Sequence, residues 1–171
     1  MQLLLFKLTG KKLYKDGFMA FMDSFMATKK TPKGLIYFDQ WAPNRYAANA
    51  AFLALVAADY GTTNHPAELR KFAQSQIDYI LTAGNPDLNP ETKQPYYSYL
   101  IGYGDNFPRA PHHRGASCGS GGWCSCGSGA EPNVLLGAMV GGPDDNDNYN
   151  DSCNDYVHAE VRVFFSPQTV D

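Results

Sequence analysis

The sequence predicts an all-α chain. Apolar residues recur at helical spacing through its first half, helix-stopping residues separate the runs, and only Tyr97 to Ile101 reads as a weak strand. Two consecutive helices with a short link suggest an array of helical hairpins, and helices alternating with loops fit a helical toroid. The 171 residues fit one domain with length enough for a sizeable core.

Taken in order, Leu3, Leu4, Leu5 and Leu8 read as the tail of a helix that begins upstream. The start has a six-residue run before Lys7 and no small-residue cleavage site, so no signal peptide is expected there. Nor does any stretch reach the roughly 18 apolar residues of a membrane-spanning helix. Residues 14–27 place Phe18, Met19, Met22, Phe25 and Met26 three and four apart, an amphipathic helix that ends near Lys29-Lys30-Thr31-Pro32. Its Met and Phe stripe is packing material. A short extended piece, Leu35 to Phe38, then runs to Gln40 and Trp41.

Residues 44–60 predict a nearly charge-free helix, capped by Asn44 and apolar over most of its circumference, hence buried between other helices. Gly61 ends it. Residues 65–82 carry Leu69, Phe72, Ala73, Gln76, Ile77, Ile80 and Leu81 on one side and stop at Gly84-Asn85-Pro86. From 85 to 133 the composition shifts to Gly, Pro, Ser, Asn and aromatics. A loop of that length is functional or disordered. Tyr96, Tyr97, Tyr99, Tyr103, Phe107 and Trp123 argue for an ordered, functional one, with residues 119–129 loose enough to be mobile. Residues 134–140 are too short to assign.

A net charge of −3 without a basic cluster argues against nucleic acid or an anionic membrane as partner. The 11 Tyr, 10 Phe and 2 Trp suit a sugar-binding cleft, although composition alone favours core packing. Cys118, Cys124, Cys126 and Cys153 allow three pairings in an oxidising compartment. Zinc would recruit His112, His113 or His158, but Cys124-Ser125-Cys126 lacks the usual ligand gap, so a loop disulfide is favoured and no metal is expected.

Residues 143–160 hold five aspartates and Glu160, interleaved with Asn, Tyr and Ser as individually placed groups. Gly141-Gly142-Pro143 opens the stretch with turn chemistry, and the Val157, Val161 rhythm predicts a short helix with Glu160 about two turns inside it. Asp144, Asn146 and Asn148 have a calcium-loop spacing, but Tyr149 and Asp155 stand where Gly and Glu would be, which disfavours it. On one straight helix Asp151 and Glu160 would lie about 13.5 Å apart in height and on opposite faces, so Glu160 needs a catalytic partner from elsewhere.

In Pro111-His112-His113-Arg114 an extended backbone would point His112 and Arg114 into one cleft and turn His113 into protein; a basic loop paired with the aspartates is the equal alternative. Trp41, Arg45 and Tyr46 could hold a sugar through ring stacking and a guanidinium fork. Residue chemistry alone favours Trp41 as a core anchor and Arg45 as a partner of a carboxylate.

Four segments in order resemble glycoside hydrolase family 9, the endoglucanases: residues 41–55, residues 75–81, residues 98–104 leading to His112-His113-Arg114, and residues 147–161. The resemblance implies a partial (α/α)6 barrel with long active-site loops and inverting hydrolysis of β-1,4-glucan. It makes residues 1–161 a C-terminal part of the catalytic domain and residues 162–171 a divergent tail. By position, Glu160 resembles the general acid, Asp151 the supporting carboxylate, His112 and Arg114 the pair that bind hydroxyls near the scissile bond, and Trp41, Arg45 and Tyr46 the glycone-side residues. Burial of Glu160 beside Tyr156 would suit a general acid. The family's Asp-Ala-Gly-Asp base motif has no counterpart here, since no Asp-x-Gly-Asp occurs. The expectation is a fragment, inactive alone, of a secreted and monomeric enzyme whose partner is cellulose or a cello-oligosaccharide, with no cofactor. A non-catalytic glucan-binding remnant is the alternative, and a calcium-stabilised structural protein a third.

Overall fold

In the computed structural model, residues 2–60, 63, 65–119, 124 and 126–162 are described. Trp123, part of the glycine-rich 119–129 stretch and the tail from 163 onward lie outside them. Four helices fill the first half: α1 (Gln2–Thr9), α2 (Lys12–Met26), α3 (Pro43–Asp59) and α4 (Pro66–Thr82). A single turn, α5 (Arg114–Ser117), and two short strands, β1 (Met139–Val140) and β2 (Val161–Arg162), follow. Among the described residues no helix is long and apolar enough to cross a membrane.

Helices α3 and α4 form an antiparallel hairpin whose contact is built from small residues. Ala47, Ala50, Ala51, Ala54, Ala57 and Ala58 recur at helical spacing and are buried, in one core with Leu69, Phe72, Ala73, Tyr79 and Ile80 of α4. Helix α2 adds Phe18 and Met22 to that core. The expectation that α3 is buried all round is corrected: Phe52 is 63% exposed and Leu55 38%. Packing covers the alanine face and leaves the bulky face to solvent.

Asn44 was expected to cap α3, and it does not. Ala42 is the N-cap residue, and it makes no side-chain cap. Pro43 supplies the first helical position, where a missing N–H costs nothing. Asn44 lies inside the first turn, fully buried, and its Nδ2 donates to the Val140 carbonyl at 3.1 Å. Ala42 has φ 51°, a left-handed conformation that costs an L-residue about 1–2 kcal/mol. Its N–H donates to the Val157 carbonyl, and the Asn44 N–H donates to the Gly141 carbonyl.

The short helix expected to carry Glu160 is absent. Residues 151–160 form turns, and Glu160 stands in a parallel bridge with His112, beside β1 paired antiparallel with β2. The reason is in the hydrogen bonding. Carbonyls of Val157, His158 and Ala159, which would carry a helix forward, accept instead from the N–H groups of Ala42, Gly142 and His112. Gly141 and Gly142 are required where these segments meet. A Cβ on Gly141 would sit 2.6 Å from the His158 carbonyl oxygen, and Gly142 adopts φ +111° with the Asn44 side chain 2.6 Å from where a Cβ would lie.

Candidate active site

The stapled turn shapes one wall of a cavity of about 550 Å³ lined by His112, His113, Arg114, Ser117, Cys124, Cys126, Cys153, Glu160 and Val161. His112 and Glu160, as bridge partners, project from the same side of the paired backbones. The Trp41 indole Nε1 donates to Glu160 Oε2 at 2.6 Å, and the Trp41 ring packs at 5.5 Å on Tyr156, which also meets the His112 ring edge-on at 6.2 Å. Glu160 is half-buried, while Tyr156 is 53% exposed, so the shelter expected from Tyr156 is partial.

His112 Nδ1 lies 2.6 Å from the Cys153 carbonyl oxygen. A carbonyl only accepts, so Nδ1 carries the proton and Nε2 is the free acceptor of the neutral ring. The expectation that His113 turns into protein is corrected. His113 is half-buried and borders the same cavity, where its Nδ1 accepts from the Gly115 N–H at 3.0 Å and caps α5. Arg114 is exposed on the cavity rim.

Asp151 lies elsewhere. Its Oδ2 accepts from the Arg109 N–H at 2.7 Å and its Oδ1 from the Ala110 N–H at 3.1 Å, two residues before the bridge strand of His112. Its open side faces a second cavity, of about 420 Å³, with Tyr96, Tyr97, Tyr99, Tyr149 and Asp147. Tyr79 donates from its hydroxyl to Asp147 Oδ1. Burial first, then that hydrogen bond, pushes the Tyr79 hydroxyl far above its ordinary value. Burial, with the Asp151 charge second, raises Tyr97 and Tyr149, and burial also raises Tyr99. These rings are a packing hub.

Arg45 and Tyr46 do not line the first cavity. Arg45 Nη2 donates to the Tyr46 hydroxyl at 2.6 Å, its guanidinium lies over the Tyr46 ring at 4.5 Å, and Tyr46 packs on Phe38. Among the described residues no carboxylate pairs with Arg45. Asp144, Asn146 and Asn148 form a closed turn: Asp144 Oδ1 accepts from the N–H groups of Asn146 and Asn148, and Oδ2 from Asn148 Nδ2. Burial works to raise the Asp144 pKa, but these bonds and the His158 charge outweigh it and the value is lowered. Those oxygens are spent on the turn.

All four cysteines are paired, Cys118 with Cys124 and Cys126 with Cys153. Two residues escaped the sequence reading. Gln76, placed on an apolar helix face, is fully buried and clamps the 34–36 segment: its Oε1 accepts from the Ile36 N–H at 2.8 Å and its Nε2 donates to the Gly34 carbonyl at 3.0 Å. A polar residue within an apolar stripe was the available signal. Cys153, whose carbonyl orients His112, left none.

The sequence profile described as "Glycosyl hydrolase family 9" matches residues 3–166. Endoglucanase 19 of Arabidopsis thaliana is 38% identical over 160 residues, covering 80% of this chain and 24% of its own length. The endoglucanase of the termite Nasutitermes takasagoensis superposes with a TM-score of 0.77 at 43% identity, over 94% of this chain and 35% of that one. An endoglucanase from Clostridium thermocellum complexed with cellobiose and cellotriose gives 0.75 at 36% identity, over 94% and 26%. The chain thus spans a quarter to a third of the length of these relatives, and its fold is a partial (α/α)6 helical toroid.

Proposed function

Because the chain belongs to glycosyl hydrolase family 9, we propose that it supplies the leaving-group side of an inverting β-1,4-glucan hydrolase, an endoglucanase acting on cellulose or cello-oligosaccharides. The observation that carries this reading is the His112–Glu160 bridge, which sets a carboxyl group and an imidazole side by side on one cavity wall with Arg114 at the rim.

Glu160 protonates the departing glycosidic oxygen. His112 Nε2 accepts from a sugar hydroxyl, since Nδ1–H is committed to the Cys153 carbonyl, and Arg114 donates to a neighbouring hydroxyl or ring oxygen. Trp41 holds Glu160 through its indole N–H and offers a ring to a sugar's C–H face, and Asp151 acts as a positioning residue for the His112 segment. Arg45 and Tyr46 serve a more distant glycone subsite. Inversion requires a second carboxylate about 6.5–9.5 Å from the acid to activate water. With no Asp-x-Gly-Asp in this sequence, that base belongs to other parts of the barrel. The exposed Phe52, Leu55, Leu4, Leu8 and Leu13 are faces that such parts would cover, and without the base the 171-residue chain is inactive by itself. Two disulfides support a secreted setting.

The test uses Glu160→Gln in the whole enzyme. Turnover of cellulose or an unactivated cello-oligosaccharide should fall about 10²–10⁴-fold, while an aryl cellobioside with a good leaving group, needing little protonation, should lose far less. An equal loss on both substrates, or normal turnover on the first, would overturn the assignment.

A further inference from the structure

The sulfurs of Cys126 and Cys153 and a ring nitrogen of His112 all lie within 4.8 Å of one another. His112 Nδ1 is 3.9 Å from Cys126 Sγ, and the Ser117 hydroxyl is 3.5 Å from Cys153 Sγ. In the oxidised chain the two sulfurs are bonded together. Two thiolates and one imidazole are a soft donor set that suits zinc and its thiophilic analogues. Tetrahedral bonds of about 2.0–2.3 Å place such donors about 3.3–3.8 Å apart, and the three ligand atoms already lie within 4.8 Å of one another.

We propose that reduction of the Cys126–Cys153 disulfide creates a site for one thiophilic divalent cation, held by Cys126 Sγ, Cys153 Sγ and His112 Nδ1, with its fourth position open to the cavity. A dithiol reductant passes two electrons and two protons to the S–S bond and leaves as its own disulfide. The S–S bond breaks and two thiols form. On binding the cation each thiol releases its proton to solvent as its S–metal bond forms, and the Ser117 hydroxyl donates to the Cys153 thiolate. His112 Nδ1 gives up the Cys153 carbonyl to ligate, so its tautomer becomes Nε2–H.

The ligands come from three separate stretches of chain, so the short Cys124–Cys126 spacing has no bearing on the site. Metal binding is independent of the glucan reading. Its consequence, that a loaded site withdraws the Nε2 acceptor from a sugar hydroxyl, rests on that reading.

The experiment uses the 171-residue chain carrying Cys118→Ser and Cys124→Ser, so that Cys126 and Cys153 are the only thiols. It is reduced, freed of reductant without air and titrated with cadmium. One cadmium per chain should bind, with the ultraviolet thiolate-to-metal charge-transfer band, and the cadmium-113 resonance should fall in the range of two sulfurs plus nitrogen. Unreduced chain should bind none, and His112→Ala or unfolding in urea should weaken binding by about tenfold or more. A resonance of two sulfurs with oxygens only overturns the site without recourse to a histidine variant. So does equal binding by the unreduced, the His112→Ala or the urea-unfolded chain.

Discussion

Replacing Asp151 with Asn should loosen the segment that presents His112 without unfolding the chain. The two carboxylate oxygens accept from the N–H groups of Arg109 and Ala110 at 2.7 and 3.1 Å. A hydrogen bond to an ionised acceptor contributes about 1.5–3 kcal/mol, a neutral one about 0.5–1.5 kcal/mol. Asn keeps one acceptor, at neutral strength, and turns an NH2 toward the other N–H. Asp151 is half-buried, and solvent competition trims the loss to about 2 kcal/mol, or roughly a 30-fold rise in local opening. Amide hydrogen exchange read by mass spectrometry should show that acceleration at Arg109, Ala110 and His112, with α3 and α4 unchanged. Unaltered exchange at 109–112 would refute the clamp. An equal rise along the whole chain would refute its local character.

Gln76→Leu should destabilise the chain by about 2–4 kcal/mol, because the buried Ile36 N–H and the Gly34 carbonyl lose their partners; an unshifted urea midpoint would contradict this. Tyr79, Tyr97, Tyr99 and Tyr149 should stay protonated until the chain unfolds in base. Their pKa values are raised on folding, so their contribution is complete below about pH 10 and is lost as pH rises toward the folded-state values. Absorbance titration should show a steep late step joined to loss of circular dichroism. Smooth ionisation of all 11 tyrosines near pH 10 in a folded chain would rule it out.

The helical half was legible because its information is local. Phe18 and Met22, or Ala47 to Ala58, repeat at the helical period, and Gly84 marks an end that the structure keeps within two residues. The cavity wall was not. Asn44 has the chemistry of a cap, yet its amide is drawn to Val140, 96 residues away. Glu160 sits in an apparent helical rhythm, yet the carbonyls before it serve Ala42, Gly142 and His112. Such long-range competition has no periodic trace. The acidic run was legible as placed carboxylates, but sorting Asp144 into a turn, Asp151 onto backbone amides and Glu160 onto the cavity required the contacts themselves.

The staples at 157–159 are main-chain carbonyls, and any amino acid carries one. Substitution at Val157 or His158 therefore leaves the three acceptors in place, whereas losing or gaining one residue between Asp155 and Glu160 moves every acceptor out of step with Ala42, Gly142 and His112. What that turn requires is its length, so the cavity wall depends on the number of residues there more than on their side chains.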